Sequence, residues 1–424
     1  MFYALRRVGG IRFRGLWLHR EFVKLWAGQT ISQFGTQVSM LAIPLTAALV
    51  LNASPAQMGL LGAFEFAPFL LLSLFAGVWV DRMRRRPILI VADIGRTLFL
   101  ASIPATALLK ILTMEQLYVV ALLTGVLTVF FDVAYQSYLP VLVSREHLVE
   151  GNSKLEVSRS VAQIAGPGIA GALVQLVTAP MAIALDALSY IASVISLLFI
   201  HVAEPPPQRG SDRARSIWSE LREGLDVVVG NPLLRSIAGC TATSNLFGNA
   251  MQAVYVLYVT RELGLQPATI GLIFAMSGPG ALLGSLVAGQ LADRLGLGRT
   301  IVGSIALGGL ANLLIPLAGG PPPLMVGMLM VAAFFRGVSD PVYNINQVSL
   351  RQAITPDHVQ GRMNASMRFI VWGTIPIGAL LGGALGQFFG LWPTIVVTVV
   401  AELLAPAWVL FSPVRQLKTQ PAPV

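Results

Sequence analysis

The stretch Gly77-Val78-Trp79-Val80-Asp81-Arg82-Met83-Arg84-Arg85-Arg86 ends one apolar run, Met58 to Val80, and precedes another, Pro87 to Leu109. Two hydrophobic helices joined by a turn with four arginines fit neither bulk water nor a bilayer core, so the turn must lie at a membrane surface. Arginine-rich short loops mark the cytoplasmic side. Asp81 stands alone among these cations, which suits a carboxylate at a helix terminus or paired with a guanidinium.

The string returns at Gly289-Gln290-Leu291-Ala292-Asp293-Arg294-Leu295-Gly296-Leu297-Gly298-Arg299, displaced by 212 positions (77 to 289), half of the 424-residue chain. The same displacement sets Pro55 on Pro267, Gly59 on Gly271, Asn152 on Asn364, Gly166 on Gly378 and Gly171 on Gly383. The chain therefore reads as a duplicated membrane unit, and such repeats typify secondary transporters.

Composition agrees. Apolar residues make up 55% and charged residues 12% of the chain, with mean hydropathy +0.72; a soluble protein of this length could not cover its surface. One cysteine, Cys240, excludes a disulfide framework or thiolate cluster. The net charge of +9 could suggest nucleic acid, but its distribution follows topology. All but Lys110 and Arg261 of the 29 basic residues fall at or near the expected cytoplasmic side.

The expected architecture is all-α, with twelve transmembrane helices in two pseudo-symmetric six-helix bundles. Residues 1–21 form a basic segment suited to anionic headgroups, and the first span is expected to act as an uncleaved signal. Residues 22–201 form the N-terminal bundle. Residues 202–231 are a cytoplasmic linker, proline-rich and then amphipathic; 232–412 form the second bundle and 413–424 a cytoplasmic tail. The first span carries too many amides and hydroxyls for a lipid-facing helix, so Gln33 and Gln37 are expected to line a cavity. Phe34, Phe64, Phe69, Met251, Tyr255 and Trp372 would suit a roomy apolar pocket for a bulky amphipathic compound. In the fifth span, Ala162 to Gly171 concentrates small residues around Gly166 and Pro167, and its counterpart carries Pro376 and Gly378. Helices thinned at matching places in both halves suit a contact that rocks during alternating access.

Over essentially its whole length the chain resembles the major facilitator superfamily. Gly77-x-x-x-Asp81-Arg82-x-x-Arg85-Arg86 looks like its signature loop, and Gly289, Asp293, Arg294 and Arg299 look like the degenerate second copy. Ala162 to Gly171 is similar to the superfamily's exporter motif, with alanine at 162 and 170 where glycines are expected. Leu25 to Gln29 and Asp186 to Tyr190 look like the bacterial branch of enterobactin-type siderophore exporters and macrolide efflux proteins. The resemblance implies that Asp81 and Arg82 latch the cytoplasmic side of the two halves, with Asp93 joining that network. It further implies a monomer in a bacterial inner membrane, with both termini cytoplasmic.

Acidic groups inside spans require a partner or a function. Asp132 and Asp340 fall near inner ends and are expected to pair with Arg159, Arg336 or Arg368. Glu65, Asp186 and Glu402 lie deeper and lack a partner visible in the sequence. Desolvation favours a neutral carboxyl group, so these three are the candidates for carrying protons. No Walker phosphate loop, nucleophile elbow, zinc-protease helix or histidine cluster is present, which argues against an ATP-driven pump, an enzyme, a cofactor or a metal centre. The expected activity is proton-coupled efflux of a drug-, macrolide- or siderophore-like molecule. A proton-coupled importer and a membrane sensor on the same scaffold are the alternatives.

Overall fold

The computed structural model describes residues 7–8, 11–12, 15–202, 204 and 217–419; the rest of the basic N-terminal segment and the proline-rich part of the linker lie outside them. Six long helices come first: α1 (Arg20–Leu45), α2 (Pro55–Asp81), α3 (Arg85–Leu108), α4 (Met114–Leu142), α5 (Leu148–Val177) and α6 (Ala179–Leu198). A shorter amphipathic helix, α7 (Ile217–Gly230), leads to α8 (Pro232–Leu257). The remaining helices are α9 (Pro267–Leu295), α10 (Leu297–Leu317), α11 (Pro322–Ile354), α12 (Asp357–Phe389) and α13 (Leu391–Leu410). Short local breaks interrupt α9, α10 and α13.

Among the described residues eleven helices are long and apolar enough to cross a membrane. Helix α8 completes the set of twelve; it is diluted by Arg235, Thr241, Thr243, Ser244, Asn245, Asn249 and Gln252.

Starts are specified locally. Ser54 and Gln57 form a capping box ahead of Pro55, and the Asn231 side chain accepts from the Leu233 and Leu234 amides ahead of α8. In the first half α1 packs on α5 and α6, and α3 and α2 pack on α4; in the second, α8 packs on α12 and α13, and α11 on α9 and α10. The bundles meet where α2 crosses α12 and α5 crosses α9. Helix α7 lies against α12, where Glu223 pairs with Arg362.

The 212-residue displacement reaches features beyond side-chain identity. A π-helical turn ends α1 at Thr46–Val50, and another ends α8 at Tyr258–Glu262. Positive φ comes just after each, 51° at Asn52 and 64° at Gly264, and recurs at Thr178 and Gly390, both 89°. The amides that open α3 are capped by the segment after α6: Glu204 accepts from Arg85 and Arg86 at 2.7 and 2.8 Å. The equivalent amides of Leu297 and Gly298 donate to the carbonyls of Lys418 and Leu417, after α13, at 3.1 and 2.9 Å. The start of the C-terminal tail is therefore built into the second bundle.

Candidate functional site: a central cavity and its two ends

One end of the bundle interface is sealed. Glycines 59 and 383 meet where α2 crosses α12, and glycines 171 and 271 meet where α5 crosses α9; a Cβ on any of the four would lie 2.8 Å from the facing glycine's Cα. The second crossing is the displaced copy of the first with the bundles exchanged. Two one-sided polar ties flank them. Arg261 donates to the carbonyls of Ala48 and Ala53 at 3.3 and 2.9 Å, and the Gln175 side chain accepts from the Ala268 amide at 3.1 Å. Gly171 thus makes the inter-bundle crossing. Gly166 leaves room for the Gln37 side chain, Gly378 lets α12 reach the backbone of α8 at Leu246 and Ala250, and Pro376 lies inside α12.

Behind this seal lies a cavity with two lobes of about 870 and 1110 Å³. Both lobes share Gln33, Thr36, Glu156 and Arg159, so they are continuous. The lining includes Asn152 near the start of α5, Ser285 late in α9 and Asn344 late in α11, so the cavity opens toward the end that carries the two arginine turns.

Its deeper wall is polar and hydrogen-bonding. Gln33, Gln37 and Gln163 from the first bundle face Gln252 and Ser277 from the second. The aromatic expectations fare differently. Phe64 packs on Tyr118 at 5.5 Å, Phe69 on Trp372 at 5.7 Å and Tyr255 on Phe274 at 5.6 Å; Met251 and Tyr255 are buried, and Phe34 lines neither lobe. These side chains fill helix contacts, and Phe131, Tyr135, Tyr190 and Phe274 supply the cavity's rings. Aromatic content alone does not show which helix face a ring occupies.

The buried charges meet expectation at Asp340, which pairs with Arg336, and depart from it elsewhere. Glu402 has partners: Arg336 at 2.5 Å, Asn312 at 2.8 Å and Ser244 at 3.0 Å. Arg336 also holds Asp340 at 3.0 Å. Asp93 pairs with Arg96 inside the first bundle and does not join the arginine turn. The Arg96 guanidinium lies over Phe131 and Tyr190, 4.2 and 4.4 Å from their centroids. Asp186 accepts from Ser189 at 3.1 Å. Glu65, half-buried in α2, has no hydrogen bond or ion pair among the described residues. Asp132, expected in an ion pair, has none within 4.0 Å among them; Arg159 reaches Glu156 at 3.9 Å and Arg368 leans on Trp372 at 5.7 Å.

The side chain of Asp81 lies outside the described residues. Around it, Arg82 is exposed, and Arg86 donates to the carbonyls of Leu197 and Leu198, both at 2.9 Å, tying the turn to the end of α6. Gly77 has open space beside its Cα. At the second turn Gly289, Asp293, Arg294 and Arg299 are exposed. The turns face the open mouth, and no hydrogen bond or ion pair joins them across the bundles among the described residues.

Residues 17–423 match the family described as transmembrane secretion effector. The chain belongs to that family, a branch of the major facilitator superfamily. It is 25% identical over 409 residues to the multidrug efflux pump Tap of Mycolicibacterium fortuitum, covering 94% of this chain and 96% of Tap. It is 25% identical over 373 residues to the enterobactin exporter EntS of Citrobacter koseri, covering 87% and 86%. Among solved folds, a bacterial ferroportin homologue in its inward-facing state superimposes with TM-score 0.72 at 19% identity over 93% of this chain and 98% of its own. Its outward-facing state gives 0.56 at 17% identity over 92% and 98%. The chain is a membrane transporter of this superfamily, whose members are not enzymes.

Four features lay beyond sequence reasoning: Arg261, Gln175, the π turns and the Glu204 cap. Arg261 did carry a signal, as one of only two basic residues expected on the far side.

Proposed function

We propose that the protein is a proton-coupled exporter of a bulky amphipathic small molecule, working by alternating access from a bacterial inner membrane with its mouth toward the cytoplasm. The observation that carries this reading is a cavity of drug-accommodating size, open at the arginine-rich end and shut at the other by two contacts related by the repeat. Rocking the bundles about the cavity would exchange the open end. The similarity to a multidrug efflux pump and a siderophore exporter supports outward movement.

The lining narrows the ligand. Arg96 is engaged by Asp93, and Arg336 by Asp340 and Glu402, while Gln33, Gln163 and Gln252 have no protein hydrogen bond among the described residues. An amide offers both donors and an acceptor. At this deeper wall the favoured ligand therefore presents uncharged hydroxyl, carbonyl or amide groups beside an apolar body, while Asp132 and Glu156 nearer the mouth leave room for a basic group. For the proton path, Glu65 and Asp186 are retained, and Glu402 is assigned to the structural ion network.

Accumulation assays in cells with and without the protein, at a fixed proton gradient, test the direction. With a panel of macrolides, dyes and siderophores, an exporter lowers the internal level of at least one compound. A rise points to import, and no change across the panel defeats the proposed export of drug-, macrolide- or siderophore-like compounds.

A further inference from the structure

The sealed end shows how this molecule closes, with two contacts that the 212-residue displacement exchanges. The open end contains polar side chains arranged by the same rule. Asp132 on α4 and Asn344 on α11 are displaced copies of each other, as are Glu156 on α5 and Arg368 on α12. All four lie roughly 12 to 17 Å along their helices from the ends at the mouth, by the 1.5 Å rise per residue. Asp132, Glu156 and Asn344 line the cavity, and Arg368 is exposed.

None of the four is committed across the mouth. Asp132 has no ion pair among the described residues; the cations around it are Arg96 and Arg159 of its own bundle and, from the second bundle, Arg368. Glu156 reaches only Arg159 on its own helix, Arg368 only a ring on its own helix, and the Asn344 side-chain carbonyl accepts from Gln347 one turn away. Helices α4 and α5 do not pack closely on α11 or α12.

We propose that closing the mouth joins Asp132 to Arg368 and Glu156 to Asn344, two repeat-related contacts that lock the outward-open state. The twofold relation makes the two pairs geometrically equivalent, so a movement that joins one joins the other. Their chemistry differs: one is a carboxylate–guanidinium pair, the other a carboxylate accepting from an amide. In the open state the side chains are hydrated and cost little. On closure they leave water together, as matched partners. The arginine turns are a separate feature, nearer the membrane surface. The lock rests on the alternating-access reading above.

The test uses the full-length protein in proteoliposomes, in a Cys240→Ala background. Gln33→Cys reports whether the cavity opens to the sealed face, through labelling by a membrane-impermeant maleimide added there. Asp132→Ala and Arg368→Ala are each expected to lower that labelling about fivefold, as loss of a close charge pair does; the exchange Asp132→Arg with Arg368→Asp restores it to within about twofold. In separate chains, Asp132→Cys with Arg368→Cys and Glu156→Cys with Asn344→Cys are each expected to cross-link through a short bis-methanethiosulfonate.

Reporter labelling without either cross-link, or a charge exchange no better than the single changes, overturns the lock and leaves alternating access standing. No reporter labelling from the sealed face in the background protein overturns both.

Discussion

Glu402 and Arg336 illustrate how a single side chain is assigned. Glu402 is 2% exposed, and its two oxygens receive Arg336, Asn312 and Ser244. Removing one member of a buried pair leaves the other charge uncompensated, whereas replacing both with apolar groups is often neutral. Arg336→Ala is therefore expected to destabilise the second bundle by about 2–4 kcal/mol, the lower part of the range reflecting Arg336's partial exposure. Arg336→Met with Glu402→Met should recover most of that loss. Thermal unfolding in one detergent reads both, and a double variant as unstable as the single one would contradict the assignment. Glu65 gives the opposite expectation. With no partner among the described residues, Glu65→Gln should fold normally and exchange substrate across the bilayer while losing uphill movement. Undiminished uphill movement by that variant would clear Glu65 of a coupling role. The sequence located both carboxylates inside helices and could not tell them apart, because the partners of Glu402 stand 66, 90 and 158 positions away.

Two helix crossings hold the sealed end, and each depends on an absent side chain. A Cβ on Gly171 would lie 2.5 Å from the Pro267 carbonyl oxygen, and one on Gly59 would lie 2.5 Å from that of Ala379. Gly171→Ala must push α5 off α9. Overpacking of this kind costs about 1–3 kcal/mol, and the strain falls on a contact present in one state only. Stability should change little, while the balance shifts toward the state open at this end by roughly five- to a hundredfold. The impermeant reagent added at the sealed face reads that shift; unaltered labelling would mean that the crossing does not gate. These elements were legible in part: apolar runs and charged turns set the spans, and matched small residues marked α5 and α12 as contact helices without naming α9 and α2 as their partners. The π turns were not, since periodicity is blind to one inserted residue in a last turn. The cavity lining was half legible: polar residues in an apolar span have few places to go, whereas Phe64 or Tyr255 is equally at home in lipid, in a helix contact or in a cavity.

Across the whole molecule the repeat is the organising fact. It relates the two crossings, the two π turns and the two caps supplied by the segments after α6 and α13, so most of the architecture could be read from one displacement. Function breaks that symmetry: Glu65 corresponds to Ser277, Asp186 to Thr398 and Arg261 to Leu49. If the unmatched carboxylate in α2 carries protons, substrate leaves as protons enter, which fixes the sign of a vesicle experiment. Everted vesicles have the mouth outside, and an exporter moves substrate into their lumen as protons come out. With ethidium as probe, acidifying the lumen by one pH unit stores about 1.4 kcal/mol per proton and supports roughly a tenfold accumulation ratio for each proton exchanged. Collapsing the pH difference with nigericin should release the dye within the same trace, and Glu65→Gln vesicles should reach only equal concentrations. Dye expelled from an acid lumen would reverse the direction, because proton exit would then be coupled to substrate exit as an importer's mirror image requires. Accumulation indifferent to nigericin would separate transport from protons altogether.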